Sequence, residues 1–372
     1  MKPTLSELLS TRRILVCCGA GGVGKTTTAT GLALAAARQG RRVLALTIDP
    51  SKRLAETLGV ERNLKAPVSL PAERLEKAGI VPPGSLETWM LDPQLIASSV
   101  VNRLAPSPEV AKRLTENRIY KGVSSMVAGM QEYTAMQALF DFVQEERYDL
   151  VILDTPPSRN ALDFLDGPRR LARFFDGRIF QLFLPSEDQG FIQRAASSLI
   201  SRVLSTVFGE QAFNDLQEFF NSFATIFVQL TRNASSMNAF LSDPEDVAFL
   251  LVTSPSPAAL TDAFFFRQRT EEMGLPFRAF ILNRSQAYDR DRVYPTAELL
   301  GPSPSPEALN GLHKLQKLAD LEVAQVRRDQ ELLQQLAEKA GEDALALALP
   351  NLTGGANDIA SLLEISDVLA SS

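Results

Sequence analysis

Cysteine is nearly missing from this 372-residue chain: it has two, adjacent at Cys17 and Cys18. Two neighbouring thiols inside an apolar run exclude a disulfide framework and predict a buried strand in a reducing compartment. Histidine is scarcer still, with His313 alone in a charged stretch, where a solvated surface side chain is expected. No window holds 18 uninterrupted apolar residues, so no transmembrane helix is predicted. The opening MKPTLSELLSTRR has no apolar core of the secretory kind. A soluble, cytoplasmic protein is the expectation. Basic excess is also lacking. The net charge of −6 argues against a general nucleic-acid binder, which needs a basic face to neutralise phosphates.

What is present is an ordinary globular balance, 45% hydrophobic and 22% charged residues, enough to fill a large core. Five short runs read as strands buried on both faces: Ile14–Cys18, Val43–Ile48, Leu150–Leu153, Phe249–Thr253 and Ala279–Leu282. Ala344–Leu349 reads as a sixth. Helical stretches separate them, beginning with Thr26–Arg38, which Gly40 would terminate. This alternation predicts an α/β fold with a doubly wound, mainly parallel sheet, whose ligand lies beyond the carboxyl ends of the strands. Residues 93–147 read as helices, including Ala135–Gln144, and 303–341 as a charged helical stretch. Residues 168–245 hold twelve of the 21 phenylalanines, interrupted by polar residues at helical spacing. They are predicted to be an inserted, Phe-rich helical subdomain within a single domain covering 1–372.

The most specific signal is Gly19-Ala20-Gly21-Gly22-Val23-Gly24-Lys25-Thr26, which satisfies GxxxxGK[ST] between a predicted strand and a predicted helix. Glycines let backbone N–H groups turn toward phosphates, and the helix start adds the positive end of its dipole. Lys25 supplies a point charge for the β- and γ-phosphates, and the Thr26 hydroxyl suits Mg²⁺. Thr27 follows in the first helical turn. A P-loop NTPase binding ATP with Mg²⁺ is therefore expected. Two aspartates close strands on the same edge. Asp154, ending LVILD, would serve the magnesium shell, with Lys25 and Asp49 completing the catalytic set. Asp49, ending VLALTID, would orient or deprotonate the attacking water, or else simply cap a helix over Ser51–Leu58.

The segment CCGAGGVGKTTTATGLALAAARQGRRVLALTIDP resembles the start of the ArsA-type ATPases, which include arsenite-pump ATPases and Get/TRC-type targeting factors for tail-anchored membrane proteins. Asp154-Thr-Pro-Pro-Ser-Arg-Asn-Ala-Leu-Asp163 resembles that family's switch II, and Asp49-Pro50-Ser51 its switch I. Asn283 resembles the asparagine that reads adenine, and Pro350 the later adenine-loop proline. The resemblance implies ATPase dimers that close around ATP and drive a helical subdomain. With one P-loop here, it implies a homodimer, or a heterodimer with a related ATPase chain, and a hydrophobic client helix as possible cargo.

Ala20 departs from the pattern. Similar ATPases carry a lysine just before the Gly-Gly pair, which reaches the partner's phosphates across the dimer. Its loss implies slow hydrolysis in isolation, or replacement of the charge by Lys52, Arg159 or a lysine-bearing partner. No C-x-x-C occurs, so the zinc clasp of some targeting-factor dimers cannot form, and soft ligands for arsenite are scarce. Energising an arsenite or anion transporter is the alternative expectation. ParA- or MinD-like positioning is another. Arg169, Arg170, Arg173 and Arg178 read more simply as a solvated face, however, and Asn357–Ser372 holds no Lys or Arg to favour anionic lipid.

Overall fold

A computed structural model describes residues 3–47, 66–91, 105–117, 130–155, 236–287, 294–301, 304–352 and 359–372, with positions 58, 101, 102, 209, 211, 215, 218, 219 and 222 between them. Its strands are β1 (Ile14–Gly19), β2 (Arg42–Thr47), β3 (Val68–Ser69), β4 (Ser85–Met90), β5 (Leu150–Asp154), β6 (Val247–Thr253), β7 (Phe277–Ser285) and β8 (Leu345–Pro350). They form one sheet in the order β3-β4-β2-β5-β1-β6-β7-β8. Every pairing is parallel except β3 with β4. The main helices are α1 (Leu5–Thr11), α2 (Lys25–Arg38), α3 (Ala72–Lys77), α4 (Pro108–Glu116), α5 (Met130–Gln144), α6 (Pro257–Glu272), α7 (Pro306–Ala340) and α8 (Ile359–Ala370). The doubly wound α/β expectation is met.

Two cores explain the layering. On one face α1, α2 and α8 pack over Leu15, Cys17, Val43, Ile152, Leu250 and Ile281. On the other, α5, α6 and the carboxyl half of α7 cover Val16, Cys18, Leu46, Leu153, Leu251 and Leu282. Alternate residues of each strand feed opposite cores, so central strands are apolar throughout, and each fully buried Leu, Ile or Val contributes about 1.5–3 kcal/mol. Cys17 and Cys18 are both fully buried, one in each core. Burial pushes the Cys18 thiol up to about 12, and burial with the neighbouring Asp154 carboxylate raises Cys17 well above its ordinary value.

Six strands lie where the sequence placed them, with ends shifted by one to three residues, most at the carboxyl end of β7. Two were missed, and the six-strand expectation is corrected to eight. β4 escaped because Glu87 and Thr88 break its apolar run, and β3 is too short to show a period. Of the Phe-rich stretch 168–245 most residues lie outside the described ones. Among those described, Phe219, Met237 and Leu241 are buried in the same core as α5, and Phe240 stacks edge-on against Phe140.

Candidate functional site

β1 ends centrally in the sheet, and the loop Gly19–Gly24 carries it into α2. Three glycines fix the loop's course. At Gly24 φ is 94° and a Cβ would stand 2.0 Å from Asn283 Nδ2, while at Gly19 it would stand 2.1 Å from the Val252 carbonyl oxygen. Gly22 needs its glycine for φ of 77° alone, since the space beside it is open. Gly21 and Gly22 are exposed, Ala20 is half-buried, and Val23 anchors the loop in the core. The result is a backbone cradle at the amino end of a 14-residue helix, the geometry that favours phosphate oxygens.

Lys25 folds back over this cradle. Its side chain is buried and its Nζ donates to the Ala20 carbonyl at 2.8 Å. Beside it, the Thr26 hydroxyl donates to Asp154 Oδ2 at 2.7 Å, and Thr47 Oγ1 donates to the same oxygen at 3.2 Å. Asp154 is 2% exposed, at the carboxyl end of β5 and in register with both Cys17 and Thr47. A hydroxyl and a buried carboxylate thus meet directly under the cradle. Mg²⁺ usually takes one or two protein oxygens together with phosphate oxygens, so this pair fits a nucleotide-borne ion. Among the described residues no cluster of three or more His, Cys, Asp or Glu forms a cage of its own.

Asn283 comes from β7, two strands away from β1. Its Nδ2 donates to the Val23 carbonyl at 2.8 Å, and its side chain is 4% exposed. Pro350 ends β8 opposite Ser285, on the same sheet edge. Gly19, Ala20, Gly21, Gly22, Val23, Gly24, Lys25, Thr26, Asp154 and Asn283 are therefore drawn together, with Thr27 half-buried one residue along α2. Asp49, Lys52 and Arg159 lie outside the described residues. Two residues were overlooked in the sequence. Thr47 stands at the polar end of an otherwise apolar strand, a legible signal. Thr155, whose Oγ1 donates to the Cys17 carbonyl at 2.8 Å, gives no signal without the β1–β5 pairing.

The model of the anion-transporting ATPase family, ArsA, matches residues 12–292. The chain belongs to that family. The match runs through the cradle, Asp154 and Asn283, so the site lies inside the family's shared region. An uncharacterized protein of Streptomyces coelicolor is 29% identical over 289 residues, covering 76% of this chain and 63% of that one. The protein named ATPase ASNA1 homolog 1 of Paramecium tetraurelia is 23% identical over 288 residues, 76% of this chain and 79% of its own length. A putative arsenical pump-driving ATPase 1 of Aquifex aeolicus is 22% identical over 253 residues, 68% and 58% respectively. The chain thus spans under two thirds of two of these three relatives. ArsA-type proteins are ATPases, and the α/β sheet carrying the cradle is the architecture the family requires. No helix among the described residues is long and apolar enough to cross a membrane.

Proposed function

We propose that this ArsA-family chain binds ATP with Mg²⁺ at the Gly19–Thr26 cradle and hydrolyses it as a dimer. The observation that carries the reading is the Thr26–Asp154 hydrogen bond, which joins a hydroxyl and a buried carboxylate below an anion-binding loop. The nucleotide would supply the phosphoanhydride to be cleaved, and the Mg²⁺ bound with it the divalent charge that polarises it. Lys25 exchanges the Ala20 carbonyl for phosphate oxygens, and the N–H groups of Gly21 to Lys25 orient them. Thr26 and Asp154 would hold the ion, which would supply the positive charge beside the phosphates. Thr47 fixes the Asp154 carboxylate oxygen. Asp49, two residues beyond β2, orients or deprotonates the attacking water. Asn283 and Pro350 flank the adenine.

Ala20 leaves the phosphates without the lysine that similar ATPases deliver in trans, so turnover by the isolated chain is slow. Closure of two copies drives the Phe-rich stretch 168–245, which offers apolar surface to a client segment. Metalloid binding is not favoured. Both thiols are fully buried with raised pKa values, so neither presents a thiolate. The test is the solution mass of the full chain with Mg-ATP, with ADP and without nucleotide. A dimer that forms or tightens with ATP, and is lost in Lys25→Ala, is expected. ATP binding undiminished by Lys25→Ala and Thr26→Ala would remove the cradle from the mechanism. The client idea is tested by an apolar dye. Leu315, Leu318 and Leu321 on α7 are exposed in any case, so the informative quantity is the rise on adding ATP.

A further inference from the structure

β7 changes faces at its carboxyl end. Leu282 pairs with Ala348 and Ser285 with Pro350, so three steps along β7 match two along β8. The extra residue makes a bulge at Asn283–Arg284, where Arg284 takes φ of 57°, an unfavourable value for a side chain of that size. In a regular strand residues 283 and 285 would share a face. The bulge separates them. Asn283 reaches the cradle on the α2 side, while Ser285 turns toward α7 on the other.

On that side waits Asp329, a carboxylate 3% exposed about two thirds of the way along a 35-residue helix. Its Oδ2 accepts from Ser285 Oγ at 3.2 Å and from the Gln286 backbone N–H at 2.8 Å. Ser285 Oγ in turn accepts from the Ala287 N–H at 3.0 Å. The neighbouring Arg328 donates to the Pro255 carbonyl at 2.7 Å, fastening the same turn of α7 to the loop after β6. A buried carboxylate is costly unless its hydrogen bonds are made, and these are spent on a bulge rather than on the Asp154 site. The left-handed Arg284 is thereby held from both ends: by Asn283 at the cradle and by Ser285 at α7.

We propose that Asp329 is a positioning residue for the nucleotide site, acting through the bulge to hold Asn283 against the Val23 carbonyl and so to fix the cradle. The inference rests on the reading of that cradle as the ATP site. It makes α7 and the P-loop two ends of one hydrogen-bonded chain, so loosening Asp329 lets Asn283 leave the loop.

The experiment is titration of the full chain with a fluorescent ATP analogue and Mg²⁺, alongside the unfolding temperature without nucleotide. It compares wild type, Asp329→Ala, Asn283→Ala and the double variant. Each single change is expected to weaken binding roughly fivefold or more, with the double no weaker than Asn283→Ala alone. Asp329→Asn, which keeps an acceptor, is expected to recover most of the affinity. Wild-type affinity in folded Asp329→Ala, even with a lower unfolding temperature, would mean a purely structural carboxylate and overturn the proposal. So would effects that multiply in the double variant. If Asp329→Ala does not fold, Ser285→Ala removes one of the two donors and faces the same two criteria. Wild type that binds ATP no better than Lys25→Ala would sink the ATP reading itself, and this inference with it.

Discussion

At the scale of single residues the site is fixed by positions that tolerate one side chain only. Gly24 is the sharpest. Alanine there would carry φ of 94° and press its Cβ to 2.0 Å from Asn283 Nδ2, expelling the amide from the Val23 carbonyl. The left-handed backbone costs about 1–2 kcal/mol, and the lost buried hydrogen bond about 1–3 kcal/mol more. Gly24→Ala is therefore expected to lower unfolding free energy by roughly 2–5 kcal/mol. Placed on Asn283→Ala, where the collision is gone, it should cost only the backbone share, about 1–2 kcal/mol. Chemical denaturation of the four proteins decides it; equal costs in both backgrounds would mean that the two side chains do not meet. Much of this site was legible beforehand. The P-loop glycines, Lys25, Thr26 and Asp154 stand in a local pattern or end an apolar run, and the structure brings them together. Asn283 was singled out through the family resemblance but not as a brace for Val23, since that contact joins residues 260 apart in sequence. Asp329 was not legible at all. Nothing local marks one acidic residue in a charged helix as buried.

Among elements, α8 is what steadies the P-loop helix. Gly31, mid-way along α2, admits α8 so closely that a Cβ would stand 2.7 Å from Ile365 Cγ2 and 3.1 Å from Leu369 Cδ1. Intrinsic propensity favours alanine there by about 1 kcal/mol, but overpacking against a stiff β-branched side chain costs about 1–3 kcal/mol. Gly31→Ala should destabilise the wild type. In Ile365→Ala, with Cγ2 removed, it should stabilise, and thermal unfolding reads the reversal of sign. A second junction, between β2 and the start of β5, depends on pH. Asp149 accepts from the Arg42 guanidinium at 2.6 Å and from the Arg42 backbone N–H at 2.8 Å, and the guanidinium hydrogen bond is the main reason its carboxyl sits below the ordinary range. A depressed carboxyl stabilises the fold above its unfolded value of about 3.9 and loses that contribution as pH falls through the lower folded value. Both partners are partly exposed, so the gain is under about 1 kcal/mol. Urea unfolding of wild type and Asp149→Asn should differ by a constant amount from pH 7 down to about 4 and converge below. A gap that persists in acid would assign the effect to shape and not to charge. At this scale the sequence was legible wherever a strand is apolar on both faces. It failed at β4, whose Glu87 faces outward to Arg147 and Tyr148, and at the β7 bulge, which only pairing with β8 reveals.

The whole molecule raises the question of what Ala20 leaves undone. Its side chain is half-buried against the α2 core, and its carbonyl holds Lys25 Nζ, so the backbone at this position serves the chain's own lysine. A lysine in its place would, in the proposed dimer, be offered to the second copy's phosphates. That separates two roles which a single variant confounds, and a mixed dimer can assign them. A chain carrying both Ala20→Lys and Lys25→Ala cannot hold nucleotide itself but presents a new cation to its partner. Added in excess to wild type, it is expected to raise ATP turnover per wild-type chain by roughly tenfold or more, against the 10³–10⁵ that a fully placed cation can supply. Lys25→Ala alone, added in the same way, should give no rise. Steady-state hydrolysis across a titration of the double variant measures this, with solution mass confirming that mixed dimers form. Mixed dimers without acceleration would mean that the two cradles do not face one another.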